Sequence, residues 1–193
     1  MREMVKLRIA AMALALGLAG LVVTSSAQTE TGKKAGNSEE SRASLLSREI
    51  HHQLLVLPFY SVFDHIAFIV NGTSVTLTGQ VVRPTLKTDA EAAVRSLDGV
   101  GGVVNEIEVL PASASDDELR AAIYRAIYED PSLARYAEYR LPAIHILVKN
   151  GNVTLEGFVD STEDKHVAGA RASKVTASVR NNLIVEVKGS AGE

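Results

Sequence analysis

The spacing of apolar residues changes period several times along the chain. Leu46, Ile50 and Leu54 sit four apart, as do Leu119, Ile123 and Ile127, which predicts two helices with one apolar face each. Pro58 and Pro131 then stop those helices. Ile66 to Val70 and Ile144 to Val148 are short apolar runs rich in β-branched residues and read as strands. Asn71-Gly72 and Asn150-Gly151 follow them, and Asn-Gly is the strongest short-range hairpin signal. Val75, Leu77 and Gly79 alternate with Thr76, Thr78 and Gln80, so the returning strand has one apolar face. Thr85 to Leu97 and Thr162 to Val175 read as helices. Pro84 suits a first helical turn, Ser161 with Asp164 resembles a cap, and Ser115 with Glu118 has capping-box spacing. Last strands follow at Val103, Ile107 and Val109, and at Val179, Leu183 and Val185. The order helix, strand, strand, helix, strand occurs twice.

The two halves are copies. Ile66 to Val81 aligns without a gap on Ile144 to Val159, pairing Val75-Thr76-Leu77 with Val153-Thr154-Leu155 and Gly79 with Gly157. Asn105 matches Asn181, and Leu46, Ile50, Leu54 and Pro58 match Leu119, Ile123, Ile127 and Pro131. Three segments recurring in one order point to duplication. The expected class is α+β: two tandem two-layer α/β sandwiches, each a three-stranded mixed sheet with two helices on one face. Copies of about 70 residues bury only a marginal core, so the two are expected to touch each other or a partner.

The N-terminus carries an address. Arg2, Lys6 and Arg8 precede the apolar run Ile9 to Val23, and Ser25-Ser26-Ala27 supplies small residues for cleavage, the pattern of a signal peptide over residues 1–27. The run is shorter than the roughly 20 residues that a membrane-spanning helix needs. Residues 28–42 hold almost nothing apolar and are expected to form a flexible tether ahead of domains at 43–111 and 115–188. The net charge is −3, and removing the first 27 residues makes it −5. An acidic chain argues against a nucleic-acid partner. The absence of cysteine excludes disulfides, thiolate metal sites, a Cys nucleophile and a lipid-modified Cys.

Gly72, Val75-Thr-Leu-Thr-Gly79, Leu97-Asp-Gly99-Val100 and Val103-Val-Asn105-Glu-Ile107 together resemble the BON (bacterial OsmY and nodulation) domain family. The second copy keeps Gly151, Val153-Thr-Leu-Glu-Gly157 and Val179-Arg-Asn181-Asn-Leu183, and departs at Lys174-Val175. The resemblance implies a periplasmic or secreted envelope protein without catalytic chemistry or cofactor, tied to osmotic or other envelope stress. It implies phospholipid membrane surfaces, or alternatively other envelope proteins, as partners. Gly79 and Gly157 are expected where a side chain would obstruct a bend or close packing, and Asn105 and Asn181 are expected to bond local backbone.

Candidate chemistry is sparse. The five histidines, His51, His52, His65, His145 and His166, show no metal-ligand spacing and read as solvated or edge residues. No nucleophile elbow or phosphate loop occurs. Gly99-Val-Gly-Gly102 is a helix-to-strand turn. One stretch is unusual: residues 120–140 hold four of the five tyrosines and four arginines. Arg120, Tyr124 and Tyr128 form one helical stripe, joined by Arg125, Arg135, Tyr136 and Tyr139. Tyrosine and arginine together suit a membrane or partner contact. They suit somewhat better the covering of a seam between helix and sheet, with the arginines pairing Glu129 and Glu138.

Overall fold

The computed structural model of the chain describes residues 30–138 and 143–186. The proposed signal peptide and Tyr139 lie outside the described residues. The chain divides into a short N-terminal unit, Met1–Asn37, and a second unit, Ser38–Glu193, that holds both copies.

The protein is α+β, with four α-helices and two mixed sheets among the described residues. The first copy runs α1 (Glu30–Leu55), β1 (His65–Asn71), β2 (Ser74–Val81), α2 (Pro84–Arg95), β3 (Gly102–Asn105) and β4 (Glu108–Val109). The second runs α3 (Ala114–Tyr128), a 3-10 turn at Ala134–Ala137, β5 (Ile144–Lys149), β6 (Asn152–Val159), α4 (Thr162–Ser173), β7 (Val179–Asn181) and β8 (Ile184–Val185). In each sheet the hairpin pairs antiparallel and the last strands pair parallel to its second strand. Residues 30–42, expected as a tether, are helical. No proline interrupts that stretch, and it runs on unbroken into the apolar face of Leu46, Ile50 and Leu54.

The expected third strand is in fact two short strands, which makes each sheet four-stranded. Asn105 causes the break. Its side-chain oxygen accepts from the Ile107 N–H at 3.2 Å, and its amide nitrogen donates to the Lys87 carbonyl of α2 at 2.7 Å. Asn181 repeats this with Leu183 N–H (3.3 Å) and the Lys165 carbonyl of α4 (2.7 Å). The side chain thus takes one ladder position from the backbone and ties the kink to a helix. Ile107 and Leu183 follow the kinks and are buried.

Gly79 and Gly157 sit opposite Ile66 and Ile144 with φ of +115° and +109°. A Cβ there would stand 2.1 Å from the carbonyl oxygen of His65 or Ala143, so only glycine fits. The second hairpin turns at Asn150-Gly151 as expected, both with positive φ. The first turns one residue later than the Asn71-Gly72 signal suggests. Gly72-Thr73 occupies the turn, and only Gly72 takes positive φ, the arrangement that needs glycine first. Ser113, not Ser115, caps α3, accepting from the Asp116 N–H at 3.3 Å. Ser161 caps α4 through the Asp164 N–H at 3.1 Å. α2 and α4 each end two residues before the expected boundary, and Gly99 takes positive φ after the first.

Each copy has its own core. Ile50 and Leu54 of α1, Leu86, Ala90 and Val94 of α2, and Val75, Leu77 and Val81 from one face of β2 form the first. Ile123, Ile127, Val153, Leu155, Val159, Ala168 and Ala172 hold the matching positions in the second, with Asp164 standing where the first copy has Leu86. The copies touch each other. Val62, just before β1, is buried in the second core, and its carbonyl accepts from the Ile146 N–H on the outer edge of β5 at 2.8 Å. Phe63 meets Tyr124 edge-on, with centroids 6.2 Å apart.

Candidate functional site

The Tyr/Arg stretch is mostly framework. Arg120 is 3% exposed; it pairs with Asp117 and donates to the Val148 carbonyl at 2.6 Å. Tyr128 is buried, and its hydroxyl donates to the Ile144 carbonyl at 2.6 Å while accepting the Ile144 N–H at 3.2 Å. Burial holds that hydroxyl's pKa well above the ordinary value. Tyr124 leans on Tyr128 at 4.8 Å and on Phe63 of the first copy. Tyr136 is buried; its hydroxyl donates to Asp164 at 2.9 Å and accepts the Asp160 N–H at 2.7 Å. Arg135 lies over the Tyr136 ring at 4.6 Å and bonds Asp164 at 2.6 Å. Burial would raise Asp164, but hydrogen bonds from Ser161, Tyr136 and Arg135 hold its pKa below the ordinary carboxylate value. Arg125 alone points freely to solvent among the helical members of the stretch. Arg120, Tyr128 and Tyr136 are therefore not surface residues. The stripe lies one step around from the core stripe, where it meets the edge of β5 and closes its unpaired carbonyls and N–H groups.

Two features escaped the periodicities. The first is a histidine pair between the copies. His145 on β5 is 8% exposed, stacks on Tyr60 at 5.9 Å and faces His65 of β1 at 5.4 Å. Burial, and then His65, push the His145 pKa down to about 4, against the carbonyls of Asp64 and Ser61. Burial also lowers His65, with Glu156 opposing. The neighbouring Asp64 is consumed by the Ser61 N–H and hydroxyl and the Val82 N–H, at 3.0, 2.6 and 2.7 Å. Neither histidine has a counterpart in the other copy, so the repeat alignment gave no signal for their meeting.

The second is Phe59. It is 68% exposed, takes φ of +65°, and lies under the Arg83 guanidinium at 4.7 Å. Both sit at the tight entries to β1 and α2, where the second copy has Ser132 and Ser161. A solvent-facing aromatic ring with a cation beside it offers apolar insertion and an anion contact at one point. An open cleft of about 600 Å³ lies where the copies meet, lined by Gln80, Leu147, Lys149, Thr154, Ser178 and Arg180. Lys149 there is paired with Glu108. No group of three or more potential metal ligands occurs among the described residues.

A family model for the BON domain matches residues 64–111 and 115–187. The chain belongs to the BON-domain family. The first match covers one sheet and its crossover helix α2, with α1 lying before it, whereas the second takes in α3 as well as its sheet and α4. No curated protein matches the chain. Among solved structures, two of CdsD, described as a structural protein of the type III secretion system of Chlamydia trachomatis, are similar. One is 16% identical over 73% of this chain and 61% of that one, with a TM-score of 0.29. The other, its C-terminal domain, is 15% identical over 72% and 63%, also with a TM-score of 0.29. The chain thus spans about three-fifths of the CdsD structures it matches. No helix among the described residues of this BON protein is long and apolar enough to cross a membrane.

Proposed function

We propose that this chain is a non-enzymatic, exported envelope protein that binds phospholipid surfaces and supports the envelope under osmotic or other stress. The tandem BON domains carry the reading. The structural use of the buried charges agrees with a role other than catalysis. Asp116 accepts from the N–H groups of Asn150 and Gly151 at 2.8 Å, Asp130 from Ser132 and Arg171, and Asp164 from Tyr136, Arg135 and Ser161. The lipid contact belongs to Phe59 and Arg83 of the first domain, not to the tyrosines of α3. A Phe ring entering the acyl boundary is worth about 1.5–3 kcal/mol, and the guanidinium beside it meets the phosphate.

Vesicle flotation tests this. The protein is expected to float with anionic vesicles at low and at physiological salt. The double variant Phe59→Ser, Arg83→Ser, which installs the second copy's residues, is expected to bind about tenfold or more weakly. No association with any vesicle would refute the function, and binding indifferent to the double variant would refute the surface.

A further inference from the structure

The two copies treat the same sheet edge differently. In the second BON domain the outer edge of β5 is closed along its length. Tyr128 serves Ile144, the Val62 carbonyl serves the Ile146 N–H, Arg120 serves the Val148 carbonyl, and Asp116 serves the turn. The first copy has Ala43, Ser47 and Leu55 where the second has Asp116, Arg120 and Tyr128, and none of the three can reach as far. Only the Ile66 N–H is served, by the Tyr60 hydroxyl at 3.2 Å. That bond shows that Ile66 points its N–H away from β2, so by strand alternation Phe68 and Val70 do the same. Among the described residues, neither of those two N–H groups meets an acceptor.

An open edge normally carries a charge or a proline to stop pairing. β1 reads His-Ile-Ala-Phe-Ile-Val-Asn and has neither. It is also self-complementary. Laid antiparallel on itself about Phe68, it sets Ile66 against Val70 and Phe68 against Phe68 on one face, and Ala67 against Ile69 on the other. Ile69, 57% exposed, would gain cover. At the corresponding edge of the second domain one bond of this kind already exists, from the Ile146 N–H to the Val62 carbonyl of the preceding segment, at 2.8 Å.

We propose that β1 pairs edge to edge with β1 of a second copy of this chain, joining the two first domains about a two-fold axis near Phe68. Such a contact is isologous and closed, and leaves the Phe59–Arg83 corner as a separate feature. Sedimentation velocity over a concentration series is expected to show a monomer–dimer equilibrium. Ile69→Lys sets like charges on the joined face and is expected to raise the dimer dissociation constant about tenfold or more. Ile184→Lys, at a site 56% exposed in the second domain, is expected to leave it unchanged. Hydrogen exchange of the Phe68 and Val70 amides in the unaltered chain is expected to slow as concentration rises. A monomer at every concentration, equal effects of the two lysines, or amide exchange indifferent to concentration would each overturn the proposal.

Discussion

Acidification should loosen the BON pair through His145. Its pKa is pushed down from 6.5 to about 4 by burial against Tyr60 and His65, so the folded protein keeps the ring neutral where the unfolded chain would protonate it. Above about pH 6.5 the ring is neutral in both states, and the full stability is present. As the pH falls from there toward 4, only the unfolded state takes up the proton, and stability is lost. A shift of that size is worth about 3 kcal/mol by pH 4, and about 2 kcal/mol of it is gone by pH 5. His65, also lowered, adds to the loss in the same direction, while Glu156 moderates it. The carboxylates Asp130, Asp164 and Glu108, all held below their ordinary values, lose their contribution at lower pH, so the range from 6.5 to 5 isolates the histidines. Urea unfolding at pH 7.5 and pH 5 measures the difference, and His145→Gln should remove most of it. A difference below about 0.5 kcal/mol, within the scatter of a neutral surface change, would refute the reasoning. So would a His145 ring that titrates near 6.5 by NMR.

Gly79→Ala and Gly157→Ala each force a Cβ to 2.1 Å from a carbonyl oxygen at positive φ, and should cost about 3 kcal/mol or more in thermal unfolding. Tyr128→Phe strips the partner from both the N–H and the carbonyl of Ile144. It should destabilise the protein by about 1–3 kcal/mol while leaving vesicle flotation unchanged, which separates framework from contact surface.

Much of the fold was legible because periodicity reports burial. The four-residue spacing of Leu46, Ile50 and Leu54 and the alternation that puts Val75 and Leu77 on one side mark faces that build the first core. The doubling of the pattern marked the two domains. The split of the last strand was not legible in the same way, because Asn105 and Asn181 act through side-chain bonds to helices about 16–18 residues away in sequence. The Tyr/Arg stripe was recognised as amphipathic, yet sequence alone left open whether its wet side faced solvent or the edge of β5. Arg120 decides it by reaching a carbonyl 28 residues on. Phe59 carried no period at all. Its exposure follows from a turn at left-handed φ, which no alternation of apolar residues encodes.

Val62 has a consequence for how this protein can be divided. The second family match begins at residue 115, yet the second core borrows a side chain from ahead of the first sheet. A fragment cut at that seam would start life with a hole in its interior and an unsealed strand. The inheritance unit and the folding unit are therefore different lengths of chain, and anyone isolating the second domain must carry along the short peptide that plugs it.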